Sequence, residues 1–359
     1  MRLHSGILPG IWGLFICYGL FHMTSILYID PVQASSWTLA YKLWIDPRRQ
    51  TDPRKPSHRS TPSERTAFAA RRILKAILCW AITLCIVVPV IGKLSFTSDD
   101  FAPSRQVLLR RIPITLRDIQ IRYLGRKLGL ISDTFFAPQH HFFAQQIPIT
   151  LRDIQIRCTC VLGWNLVTYL TYDTCHIISS VIYVAILRLD TPQEFPPLFG
   201  SPLEAYSIKR YWGRFSHRLT VSFSAVSGKA ITRQWLGKKP VLHLQAEKVF
   251  LVLWTFFVSA ACHTVVEWSI GEYTRTKLKG HFYFYLANFC AGAFEAFVLP
   301  AVNRAWNTDN ILRRMAWSWL GRRIIGYIWV FCFFFWISPK FQYPDLFDEL
   351  RASELADLV

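Results

Sequence analysis

The sequence predicts an all-α protein, a polytopic transmembrane helix bundle of about six to eight spans. Three observations carry this. Of 359 residues, 52% are apolar and only 18% charged, with a mean hydropathy of +0.23. The 27 Phe, 14 Trp and 14 Tyr exceed what one globular core needs, and the apolar residues come in long runs separated by basic stretches. The same composition excludes disorder, and nine Cys are too dilute for a disulfide scaffold. The net charge of +18 would point to nucleic acid in a soluble chain. Here lipid-facing loops beside anionic head groups account for it, so the expected partner is a lipid bilayer and no nucleic acid.

A spanning helix needs about 20 predominantly apolar residues. Six runs qualify: residues 8–29, 73–94, 161–187, 249–270, 282–302 and 324–337. The first is read as a retained anchor, because Tyr28, Ile29, Asp30 and Pro31 offer no small-residue cleavage site. The first two runs make an N-terminal unit, 1–94, joined by a basic Pro-rich loop at 46–72 that cannot bury a core. Residues 95–160 are expected to be a poorly ordered loop. Within them IPITLRDIQIR occurs twice, at 112–122 and 147–157, with unrelated flanks, which is no structural repeat. Residues 161–338 form the main helical domain, and 339–359 are an acidic tail, whose part from 344 onward is expected to be a short amphipathic or frayed helix outside the membrane.

An ionisable side chain in an apolar run costs several kcal/mol unless it is paired or faces a cavity, so such positions are candidates for function. His263 lies in FFVSAACHTVVEW, behind the small residues Ser259, Ala260 and Ala261, with Glu267 at i+4 on the same helical face. A carboxylate there can fix an imidazole tautomer and stabilise its charged form, as a general base requires. A buried His that only hydrogen-bonds across helices is the alternative. Asn288 and Glu295 share a face of the fifth run and suit the bundle interior as interhelical contacts. Asp173 and His176 in the third run, and His22 in the first, are read as mainly structural. Cys158, Cys160, Cys175 and His176 match no zinc spacing, so no metal site is expected.

Outside the runs, Ser201, Pro202 and Glu204 have the pattern of a capping box and predict a helix start. The next stretch interleaves Lys209, Arg210, Arg214 and Arg218 with Tyr211, Trp212 and Phe215. That is the composition of a helix lying at the head-group level.

These segments resemble the wax synthase family of membrane-bound O-acyltransferases, in particular its fungal natural-product O-acetyltransferase branch. The family signature Ser-Leu-Arg-x-Phe-Trp-Gly-Arg-Arg-Trp-His is met by SIKRYWGRFSH at 207–217, where Trp212, Gly213, Arg214 and His217 coincide and Phe215 and Ser216 depart. The Phe-x-Val-Ser-Gly-x-x-His segment is met at 256–263, with Ala260 for Gly and Thr264 where an acid is common. Asn288 and Glu295 stand where the family has Gln and Glu, and Gly163, Trp164 and Asn165 match the end of another segment.

The resemblance implies a multi-pass enzyme of the endoplasmic reticulum with no tightly bound cofactor. It would transfer an acetyl group from acetyl-CoA to a hydroxyl of a terpenoid or meroterpenoid. His263 is then the catalytic base with Glu267 as its partner. Trp212, Arg214 and His217 line the chamber or its mouth, Arg214 meets CoA phosphate or the thioester carbonyl, and Asn288 and Glu295 complete the binding residues. A long-chain wax or sterol ester synthase is the alternative within the class. A transporter or scaffold is the alternative outside it, since intramembrane Asp, His and Glu also suit a solute pathway.

Overall fold

The computed structural model describes residues 7–29, 37, 41–42, 60–102, 150–236, 242–271, 274–305 and 319–356, and among these residues there is no strand. The helices are α1 (Ile7–Thr24), α2 (Pro62–Ile82), α3 (Leu151–Val181), α4 (Ile208–Arg210), α5 (Val221–Leu236), α6 (Leu242–Ser269), α7 (Arg275–Ala305) and α8 (Trp319–Ala356). Four of them run on into a wider π-helical turn: Ser25–Ile29 after α1, Thr83–Val87 after α2, Ile182–Ile186 after α3 and Tyr211–Phe215 after α4.

Each of the six apolar runs lies largely on helix, in order α1, α2 with its continuation through the π-helical turn and Val88–Gly92, α3, α6, α7 and α8. Among the described residues, the helices long and apolar enough to cross a membrane are three, over Pro62–Gly92, Ala246–Ser269 and Gly321–Ala356. α2 starts at Pro62, inside the expected loop at 46–72, because Thr61 and Glu64 cap it reciprocally: the Glu64 N–H donates to Thr61 Oγ1 (3.2 Å) and the Thr61 N–H to Glu64 Oε2 (2.8 Å). It contains no buried residue, and Ile73, Leu74, Ile77, Leu78, Ile82 and Leu84 all face outward. Exposing such side chains to water forfeits about 1.5–3 kcal/mol each, so this surface belongs in lipid.

α6 lies between two cores. One joins Leu14, Cys17 and Tyr18 of α1, Tyr172 of α3 and Phe223 of α5 to Val258, Cys262 and Val266 of α6. The other joins Val161 of α3, Ile208 and Tyr211 near α4, and Phe284, Tyr285, Phe333, Phe334 and Ile337 of α7 and α8 to Ala260 of α6. Residues on α6 between these two faces therefore sit at the centre of the bundle.

Two expectations are corrected. The first copy of IPITLRDIQIR lies outside the described residues, as do the first three residues of the second, but residues 150–157 of the second open α3 and are no loop. Thr150 caps it, with its N–H donating to Asp153 Oδ2 (2.9 Å) and its hydroxyl oxygen accepting from the Asp153 N–H (3.1 Å). Arg152 pairs with Asp100 (2.7 Å), and buried Arg157 lies over the ring of Tyr343. The acidic tail is helical through Ala356, as expected, but it is no separate element. α8 continues through Pro339 and Pro344, and Tyr343 buries itself edge-on to Phe101 at 5.1 Å.

Candidate active site

The 201–217 segment is held from three sides. Ser207 is the N-cap of α4, its hydroxyl accepting from the Arg210 N–H (3.1 Å). Buried Glu295 of α7 accepts from the N–H groups of Ile208 (2.6 Å) and Lys209 (3.0 Å) and from the Trp329 indole of α8 (2.7 Å). A carboxylate at a helix N-terminus meets unpaired donors and the positive end of the dipole. Tyr211 donates to Asn165 Oδ1 (2.6 Å), and the Trp212 indole to Asn288 Oδ1 (2.8 Å). Gly200 lies against the Arg214 carbonyl, where a Cβ would collide, and its N–H donates to the Phe215 carbonyl (2.9 Å).

Ser201 does cap a turn, Pro202–Glu204, but the turn does not extend into a helix, since Glu204 turns away to Arg210, with which it hydrogen-bonds, to Arg214 (3.3 Å) and to Arg323 (4.0 Å). Desolvation, the largest single influence, works against ionisation, yet the guanidinium groups of Arg210 and Arg214 together hold the Glu204 carboxyl below its ordinary range. Exposed Lys209 and Arg322 neighbour this cluster in sequence, so cations outnumber the single carboxylate. The patch can take a polyanion such as a phosphate ester.

Past the π-helical turn, Arg218 takes a left-handed conformation (φ 55°) at the corner before α5. His217, one residue earlier, lies on the Tyr172 ring at 4.7 Å and edge-on to Phe199 at 5.8 Å. Its Nδ1 accepts from the Leu219 N–H (3.2 Å), so the neutral ring carries its proton on Nε2.

His263 is half-buried on α6, although Ala260 and Cys262 beside it are fully buried. Its ring lies 5.4 Å from that of His281, stacked, and 5.6 Å from Tyr285, and His217 is within electrostatic reach. Among the described residues it has no hydrogen-bond partner, so both ring nitrogens are available to a ligand. Glu267 does not bond to it. Oε1 of Glu267 instead meets Nε2 of His281 on α7 at 2.5 Å. The i+4 spacing places Glu267 on the right face, but a partner from the neighbouring helix takes the carboxylate. Thr264, where the resembled family carries an acid, returns its hydroxyl to the Ala260 carbonyl (2.9 Å).

The structure thus brings His263, His217 and Tyr285 together, with Trp212 in the same aromatic wall through Phe256 and Tyr285. Arg214 lies on the exposed flank. Asn288 and Glu295 have their oxygens engaged by protein donors and serve to hold the 207–217 segment. The sequence reading missed His281, because the fifth run was begun at Phe282, whereas α7 begins at Arg275. Asp173 and His176 are met by α2: Lys75 pairs with Asp173 (2.7 Å) and Arg72 approaches His176 Nδ1 (3.4 Å). Among the described residues no group of three His, Cys, Asp or Glu side chains could hold a metal ion.

Residues 195–287 match the membrane bound O-acyl transferase family, which includes both the 207–217 segment and His263. The chain is similar to three fungal acetyltransferases. It is 29% identical over 178 residues to acetyltransferase aurG of Calcarisporium arbuscula, covering 49% of this chain and 40% of that protein. Identity is 26% over 185 residues to acetyltransferase TRI7 of Fusarium sporotrichioides (51% and 41%), and 26% over 195 residues to acetyltransferase ple2 of Rhodocybe pseudopiperita (51% and 45%). The match thus spans less than half the length of these curated relatives. No solved structure matches. The resemblance to membrane-bound O-acyltransferases and to fungal acetyltransferases is borne out by these comparisons.

Proposed function

We propose that this chain is an integral membrane O-acyltransferase that moves an acetyl group from acetyl-CoA to a hydroxyl of a hydrophobic terpenoid or meroterpenoid. Six to eight passes through the endoplasmic reticulum membrane, with α1, α2, α3, α6, α7 and α8 among them, set the chamber at mid-bundle. The observation that supports the reading most is His263: an imidazole with both nitrogens unengaged among the described residues, in the centre of an apolar bundle, inside the matched segment.

In this reading His263 accepts the proton of the acceptor hydroxyl as its oxygen attacks the thioester carbonyl. The C–S bond breaks, coenzyme A leaves as thiolate, and the proton on His263 returns to that sulfur. His217, on a ring within electrostatic reach of the base, lines the chamber beside it. Arg210, Arg214 and Arg323 take the phosphates of acetyl-CoA at the exposed flank. No acyl-enzyme is required, since among the described residues no Ser or Cys hydrogen-bonds to His263.

Microsomal protein supplied with a hydroxylated terpenoid and either acetyl-CoA or palmitoyl-CoA tests this. Acetyl ester formation that is lost in His263→Ala supports the reading. Turnover with palmitoyl-CoA alone replaces it by a long-chain ester synthase, and no ester from either donor refutes acyl transfer.

A further inference from the structure

His281 is 4% exposed, lies on the second helix of the α6–α7 pair, and meets Glu267 at 2.5 Å through Nε2. Its other nitrogen, Nδ1, is buried without a hydrogen-bond partner among the described residues, as is Oε2 of Glu267. A carboxylate and an imidazole buried this deeply are costly to keep when an apolar pair would fill the same space. Their position is specific. The His281 ring stacks on His263 at 5.4 Å and stands edge-on to Phe341 of α8 at 5.1 Å, so its plane is fixed between a catalytic candidate and a rigid wall. The charged neighbours are the Lys277–Asp345 ion pair (2.9 Å), which is neutral overall, with Asp345 in electrostatic reach of both members of the dyad. His217 and Tyr285 face His263 from the other elements.

We propose that His281, bonded to Glu267, is the positioning residue for His263, in an arrangement that rests on the acyl-transfer reading above. The Glu267 carboxylate fixes Nε2 of His281 as the protonated nitrogen and holds the ring. The ring in turn sets the plane of His263 and keeps the Glu267 carboxylate, one helical turn along α6, beside it. When His263 takes the hydroxyl proton, that charge stabilises the imidazolium, and it does so without a direct hydrogen bond between Glu267 and His263.

The test uses full-length protein in microsomes, acetyl-CoA and a hydroxylated terpenoid, with wild type and His263→Ala run alongside. Glu267→Gln keeps the bond to His281 and removes the charge; His281→Ala removes the link. Each is expected to lower kcat by about tenfold or more, the lower end of what a charge within ~4–6 Å does to a titrating group, with the KM for acetyl-CoA within about twofold. The double variant should be no worse than the worse single one. His281→Phe with Glu267→Leu, an uncharged pair of similar bulk, guards against misfolding and should keep normal abundance without regaining kcat. Wild-type kcat in that paired variant, or in both single ones, or additive losses in the double one, overturns the positioning role alone. Failure of the wild type to transfer acetyl overturns the acyl-transfer reading and this proposal with it.

Discussion

The Trp212 indole N–H donates to Asn288 Oδ1 at 2.8 Å, and the Asn288 amide donates at 2.8 Å to the Phe284 carbonyl one turn earlier on α7. The second bond orients the amide so that its oxygen faces the indole. Asn288 is fully buried, so this single contact fastens the centre of the 207–217 segment to α7 without water.

Asn288→Leu should therefore lower the thermal stability of the detergent-solubilised protein. A buried donor left without an acceptor costs about 1–3 kcal/mol. Adding Trp212→Phe removes the stranded donor and should recover part of the loss. Strictly additive losses across the double-mutant cycle would show that the two side chains do not act as a pair.

Glu295→Gln tests the same segment from its N-terminal end. The carboxylate serves three donors, two of them backbone groups at the start of α4. Hydrogen bonds to a charged group contribute about 1.5–3 kcal/mol against about 0.5–1.5 for neutral ones, so a loss of stability of about 1–2 kcal/mol is expected. Thermal unfolding measures it; an unchanged midpoint would mean that the charge is immaterial to the cap.

His263→Ala should abolish acetyl transfer while the protein stays in the membrane at normal abundance. Loss of a general base costs about 10² to 10⁴ in rate. Since His263 holds no hydrogen bond among the described residues, little stability is lost with its ring. Retention of more than about a tenth of wild-type turnover would remove it from the chemistry.

Arg214→Ala should act on binding. The side chain is exposed and its partner Glu204 keeps Arg210, so folding is barely touched, while the KM for acetyl-CoA rises and the residual activity becomes more sensitive to salt. A collapsed kcat at constant KM would instead place the guanidinium at the thioester carbonyl.

His263 was legible because a lone imidazole in an apolar run is costly, and the apolar runs were legible because lipid selects them by composition. What the sequence could not show is which helix answers a polar group. Glu267 has the spacing for His263, yet a helix face looks outward as well as along itself, and His281 approaches from α7 with better geometry. Ser201 likewise has the cap pattern and caps one turn, but Arg210 and Arg214 draw Glu204 away before a helix forms. Asn288 and Glu295 were rightly placed in the bundle interior by cost. Their partners, a tryptophan indole and two backbone amides from a segment some eighty residues earlier, lie beyond any local pattern.

The seat occupied by the second IPITLRDIQIR carries one more consequence. Eleven identical letters carry the same Thr-x-x-Asp pattern, the same two arginines and the same helix propensity at 112–122 as at 147–157. Nothing inside them can tell α3 where to begin. The choice falls to the residues on the C-terminal side: after Arg157 come Val161 and Trp164, which pack into the α7–α8 core, whereas after Arg122 comes YLGRKLG, with a glycine and cations where those side chains are needed. The address of this peptide is therefore written downstream of it, and exchanging those neighbours, with both copies left untouched, would redirect where the helix starts.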